Sequence, residues 1–190
     1  MKTLVMVIDM ERGFTDPRGT LYAGETVRGI IAPIRKILAS EKAKGSPIIF
    51  TRDVHAPDDK EFEMWPPHCV RGAWETEIDP ALADFARDAT IIDKRRYSAF
   101  FDTDLEARLQ RLQPEQIIVT GVATDICVMY TVADLRNRDF PVIIPANAVT
   151  SFDPEAHAFA LKHMAEILGA KVTPDYDTWI RTSKEVISND

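Results

Sequence analysis

Five side chains able to do chemistry stand just after short apolar runs in the 190-residue sequence. Asp9 follows Leu4 to Ile8, Asp53 and His55 follow Ile48 to Thr51, Lys94 follows Thr90 to Ile92, and Cys127 follows Ile117 to Gly121. A thiol near an ammonium group is the chemistry of an activated cysteine nucleophile. Cys127 lies in Thr120-Gly121-Val122-Ala123-Thr124-Asp125-Ile126-Cys127-Val128. Gly121 lets the chain turn sharply, Thr124 or Asp125 is placed to cap a helix, and Cys127 then falls in its first turn. The helix dipole there favours a thiolate, and free backbone N–H groups of the same turn can hold an oxyanion. Each residue also has a plainer reading: Asp9 as a turn cap, Lys94 as a solvated loop residue, Cys127 as a small buried hydrophobe. Their shared placement favours the chemical one.

The elements that must position them alternate. Leu4 to Ile8, Pro47 to Thr51, Thr90 to Ile92, Gln116 to Gly121, Pro141 to Pro145 and a weaker run at Lys171 to Thr173 predict buried strands. Between them, Thr26 to Ala43, Asp104 to Leu112, Asp125 to Asn137 and Pro154 to Leu168 have helical periodicity, the last stopped by Gly169. This alternation predicts a Rossmann-like three-layer α/β/α sandwich with a mostly parallel sheet, as one domain over residues 1–190. Ligands of such sheets bind outside the carboxyl ends of the strands, where the five residues gather. The irregular stretch Arg52 to Pro80 is long enough to be functional, and it holds His55, Trp65, His68 and Trp74. The segment after Pro174, ending in Glu185-Val186-Ile187-Ser188, predicts a last helix.

A formal net charge of −7 and a pI near 5.1 leave no basic face for a phosphate backbone, so a small molecule is expected as partner and nucleic acid is not. Two cysteines, Cys69 and Cys127, make no disulfide framework, which points to a reducing cytoplasm. No apolar stretch is long enough to span a bilayer, and export or membrane anchoring is not expected. The first strand is followed by Asp9-Met10-Glu11-Arg12-Gly13-Phe14 and not by Gly-x-Gly-x-x-Gly, which argues against a dinucleotide-binding protein.

Asp9 in Ile8-Asp9-Met10, Lys94 in Asp93-Lys94-Arg95-Arg96-Tyr97-Ser98-Ala99-Phe100, and the stretch Thr120 to Val128 together resemble the Asp-Lys-Cys triad of isochorismatase-like cysteine hydrolases. The resemblance runs from Leu4 to about Lys171. Within that superfamily, Asp53-Val54-His55 followed by Trp65-Pro66-Pro67-His68-Cys69-Val70-Arg71-Gly72 is similar to the metal-binding signature of nicotinamidases. The resemblance implies that Asp9 takes the thiol proton, Cys127 attacks a carboxamide carbon, and Lys94 supports the developing charge. It also implies a cis peptide at Val122-Ala123, with the N–H groups of Ala123 and Cys127 as oxyanion hole. Asp53, His55 and His68 would hold a divalent ion, zinc, iron or manganese, that anchors a pyridine nitrogen. Glu61 is a fourth candidate ligand, with Glu63 close by and either able to be merely solvated. Phe14, Trp65 and Tyr97 would wall the substrate ring, or be ordinary packing residues.

The expected reaction is hydrolysis of nicotinamide to nicotinate and ammonia in NAD salvage. Alternatives are another small amide or ureido compound, isochorismate, a metallohydrolase in which the ion activates water and Cys127 is incidental, or a non-catalytic binding module. Trp74, in Gly72-Ala73-Trp74-Glu75, departs from the family's small-residue pattern and could reshape the pocket or an oligomer contact. Cys69 reads as packing, His157 and His163 receive no role, and a homo-oligomer is expected.

Overall fold

The structure, a computed structural model, describes residues 2–187. Its strands are β1 (Thr3–Ile8), β2 (Ile48–Asp53), β3 (Thr90–Lys94), β4 (Gln116–Gly121), β5 (Val142–Pro145) and β6 (Lys171–Thr173). They form one sheet in the order β3-β2-β1-β4-β5-β6, with every neighbouring pair parallel. Helices α1 (Arg12–Thr15), α2 (Glu25–Ala43), α3 (Ala83–Ala86), α4 (Leu105–Leu112), α5 (Met129–Arg136), α6 (Pro154–Glu166) and α7 (Tyr176–Ile187) complete the chain.

Alternation along β1 explains the layering. Val5 and Val7 point into a cluster with Ile30, Ile34 and Leu38 of α2 and Trp179 of α7. Leu4, Met6 and Ile8 point the other way, against Leu109 of α4, Val132 and Leu135 of α5 and Met164 of α6. Every residue of β1 is buried, the mark of a central strand covered on both faces. Each such aliphatic side chain contributes about 1.5–3 kcal/mol through burial. The expected three-layer α/β/α sandwich is the fold, and its sheet is parallel throughout.

The strand order reverses between β1 and β4, so loops leaving these two strands diverge and leave a crevice at their carboxyl ends. Gly121 is paired with Ile8 at that point. Its φ is +110°, and a Cβ there would stand 2.0 Å from the Ile8 carbonyl oxygen, so only glycine allows the two strands to end this close together.

Several boundaries differ from expectation. The helix expected over Asp125 to Asn137 begins as a π-helical turn, Thr124–Val128, before α5. The helix expected to reach Leu168 stops at Glu166, and Gly169 then turns the chain at φ +66°. The stretch Arg52 to Pro80 contains the end of β2 and two 3-10 turns, Lys60–Glu63 and Trp74–Thr76. The last helix is present as α7, while Ser188 lies outside the described residues. No helix among the described residues is long and apolar enough to cross a membrane.

Candidate active site

The crevice brings together residues distant in sequence. Lys94, the last residue of β3, places its Nζ 2.7 Å from Asp9 Oδ2 and 3.5 Å from Cys127 Sγ. The same nitrogen stands 3.5 Å from Asp53 Oδ1. All four side chains are buried. Asp9 is held by Thr51, whose hydroxyl donates to Asp9 Oδ1 at 2.6 Å and accepts from the Asp9 N–H at 3.2 Å. Asp9 is therefore not a turn cap, and Lys94 is not a solvated loop residue.

Charge and burial oppose each other here. Burial alone would lower the Lys94 pKa, but the charges of Asp53, Asp9 and Cys127 outweigh it and hold the ammonium well above its ordinary value. Burial raises Asp9 against the pull of Lys94. Burial also pushes the Cys127 thiol well above its usual value, again against Lys94. Burial, with the charges of Asp9 and Asp53, thus opposes the thiolate that the helix dipole and Lys94 favour.

The turn carrying Cys127 also differs from expectation. Neither Thr124 nor Asp125 caps it. Asp125 Oδ1 accepts from the Ser151 hydroxyl, and Thr124 Oγ1 meets Nδ1 of His157 at 2.8 Å. The Val122-Ala123 peptide is cis.

Beside the triad, Asp53 Oδ2 stands 3.0 Å from His55 Nε2 and 3.3 Å from His68 Nε2. With Glu61 these make a buried group whose donor atoms lie within 4.8 Å of one another, whereas Glu63 is exposed. The His68 Nδ1–H donates to the Pro66 carbonyl at 2.8 Å. His55 Nδ1 lies 3.2 Å from Asp59 Oδ2, at ion-pair distance though off the line of a well-aligned hydrogen bond. Arg96 in turn holds Asp59 at 2.8 Å. Both histidines turn Nε2 toward the Asp53 oxygen, and with neutral rings protonated at Nδ1 these nitrogens would be free to ligate a cation between them. Two imidazoles and two carboxylates suit a divalent transition ion, so the residues fit the metal expected from sequence. Cys69 is buried outside this group, and burial raises its thiol far above the ordinary range.

One pocket opens onto both groups. Phe14, Trp65 and Tyr97 all line it, and the Trp65 Nε1–H donates to the Tyr97 hydroxyl at 3.1 Å. Phe14 belongs to a core cluster as well as to this lining. Leu21, Ile126 and Phe152 add apolar wall that sequence reasoning missed. The charged residues of the lining, Asp9, Asp53 and Glu61, are all acidic. Trp74 does not line the pocket; it lies partly exposed against the guanidinium groups of Arg12 and Arg18, 4.8 and 5.2 Å from its ring. Glu11, also missed, is fully buried and accepts the Asp53 N–H at 2.9 Å. Its position two residues after Asp9 was its only signal.

Residues 3–174 match the isochorismatase domain, and the chain belongs to that family of hydrolases. It is 33% identical to the isochorismatase family protein PncA of Bacillus subtilis over 181 residues, covering 90% of this chain and 99% of the relative. Among solved structures, the nicotinamidase PncA of Bacillus subtilis superposes with a TM-score of 0.86 at 34% identity, covering 91% of this chain and 99% of the other. The pyrazinamidase of Pyrococcus horikoshii, in complex with zinc, does so with 0.82 at 32% identity over 91% and 99%.

Proposed function

We propose that the protein is a nicotinamidase, hydrolysing nicotinamide to nicotinate and ammonia in NAD salvage within the cytoplasm. One observation carries the reading: the Asp9-Lys94-Cys127 group and a four-donor metal group open onto one pocket whose wall is aromatic. The aromatic and apolar wall beside a metal group able to take a ring nitrogen favours a neutral heteroaromatic amide over isochorismate and ureido acids. The placement of Cys127 beside Asp9 and Lys94 likewise disfavours a metallohydrolase in which the thiol is incidental.

In this reading Asp9 takes the thiol proton as Cys127 Sγ bonds to the carboxamide carbon. The oxyanion forms against the N–H groups of Ala123 and Cys127, and Lys94 stays charged beside the sulfur. Collapse breaks the C–N bond, and Asp9 returns its proton to the leaving nitrogen, releasing ammonia. Asp9 then takes a proton from water as it attacks the thioester and passes it to the leaving thiol, and the product acid gives its remaining proton to the released ammonia or solvent to become the carboxylate. Asp53, His55, Glu61 and His68 would hold a divalent ion, zinc or else iron or manganese, which would supply a Lewis acid for the ring nitrogen. Phe14, Trp65 and Tyr97 hold the ring flat. The test is ammonia release from a panel of amides: nicotinamide is turned over with the highest kcat/KM, while a preference for a carboxylate-bearing ureido compound refutes the assignment.

A further inference from the structure

His157 lies outside every motif of the sequence, yet its ring, on α6, meets the turn carrying Cys127. Thr124 opens that turn between Ala123 and Cys127 and is fully buried. Its N–H donates to the Thr150 carbonyl at 2.9 Å, and its hydroxyl meets His157 Nδ1 at 2.8 Å. The turn has no side-chain cap of its own, so its shape depends on anchors from outside. His157 is a firm one. It sits in the first turn of α6, where Asp153 accepts the Glu155 N–H at 2.8 Å and the Asp153 carbonyl accepts the His157 N–H at 2.9 Å. A π-helical turn is rare and depends on its surroundings to persist.

We propose that His157 is a positioning residue that holds the π-helical turn in the shape aiming the Ala123 and Cys127 N–H groups at the developing oxyanion, acting through Thr124. The inference rests on the reading of Cys127 as an acyl-transfer nucleophile. Donors of this kind act only when fixed before the reaction, and a small displacement removes most of their effect on the transition state while leaving ground-state binding in place. Burial lowers the pKa of His157 against the pull of Asp125, which keeps the ring neutral at neutral pH.

The contact is made by Nδ1, and this gives the test its discrimination. An asparagine side chain at this position places a polar atom near that of Nδ1, whereas a glutamine side chain places one near that of Nε2. Nicotinamide turnover and the iodoacetamide alkylation rate of Cys127 are measured for wild type, His157→Ala, His157→Gln, His157→Asn and Thr124→Val, with thermal unfolding of each. The expected result is a fall in kcat of about tenfold to a hundredfold for the Ala, Gln and Val variants, the range of a misplaced oxyanion donor. KM and the alkylation rate stay within about twofold, and His157→Asn retains most of the activity. The double variant His157→Gln/Thr124→Val loses no more than either single one, as expected for two ends of one contact. Wild-type kcat in His157→Ala, a His157→Asn variant as impaired as His157→Gln, or additive losses in the double variant would each overturn the proposal. Absence of nicotinamide turnover by the wild type contradicts the assigned reaction instead, and the two failures are thus told apart.

Discussion

At the residue scale the site is a balance among four buried groups. Lys94 is shared by Asp9 at 2.7 Å and by Cys127 and Asp53, each at 3.5 Å. A buried charge is tolerable only when paired in this way, and Lys94 is paired with both acids. In the proposed mechanism Asp9 is the group whose titration governs turnover. Burial raises its pKa above 3.8, and the base must be ionised to take the thiol proton, so activity is present above the raised value and lost as pH falls through it. The acid limb of kcat/KM is therefore expected above pH 3.8, under conditions where circular dichroism shows the protein folded. A limb at or below that value contradicts Asp9 as the base.

At the element scale, function depends on how β1 and β4 end. Replacing Gly121 by alanine puts a Cβ against the Ile8 carbonyl at a φ of +110°, and such backbone strain costs about 1–3 kcal/mol. Urea unfolding of Gly121→Ala is expected to show that loss together with reduced turnover; unchanged stability contradicts the close approach. The elements themselves were largely legible in the sequence, because continuous apolar runs mark strands buried on both faces and each chemical residue stood at the end of one. What was not legible depended on partners far away in the chain. The π-helical turn arises where α6 and the Thr150-Ser151 segment grip Thr124 and Asp125, so local capping rules misplaced its start. The upward push on the Cys127 thiol likewise follows from burial, which no helix-dipole argument contains. Glu11, Asp59 and His157 act through residues 42, 4 and 33 positions away, and only the folded chain brings them together.

At the scale of the whole molecule, the metal group ties the long irregular segment to the sheet. Asp53 ends β2, while His55, Glu61 and His68 come from the following stretch, so an ion there closes that segment onto the sheet edge. Binding to the folded state alone stabilises it by about 2.7 kcal/mol at a hundredfold excess over Kd. Removing divalent ions with a chelator is expected to lower the melting temperature, and zinc is expected to restore it; identical melting curves contradict a metal at this group. The homo-oligomer expected from the family resemblance is a proposal of the same scale, alongside a single domain spanning the chain.

The central claim is that Cys127 is the nucleophile in nicotinamide hydrolysis. It is tested most directly by acid-quenching the enzyme during turnover and reading, by mass spectrometry, the peptide that carries Cys127, with Cys127→Ala assayed for ammonia release and metal content. The predicted result is a nicotinoyl adduct on that peptide in the wild type, and a variant that binds metal but releases no ammonia. Ammonia release by Cys127→Ala at a rate near that of the wild type contradicts it.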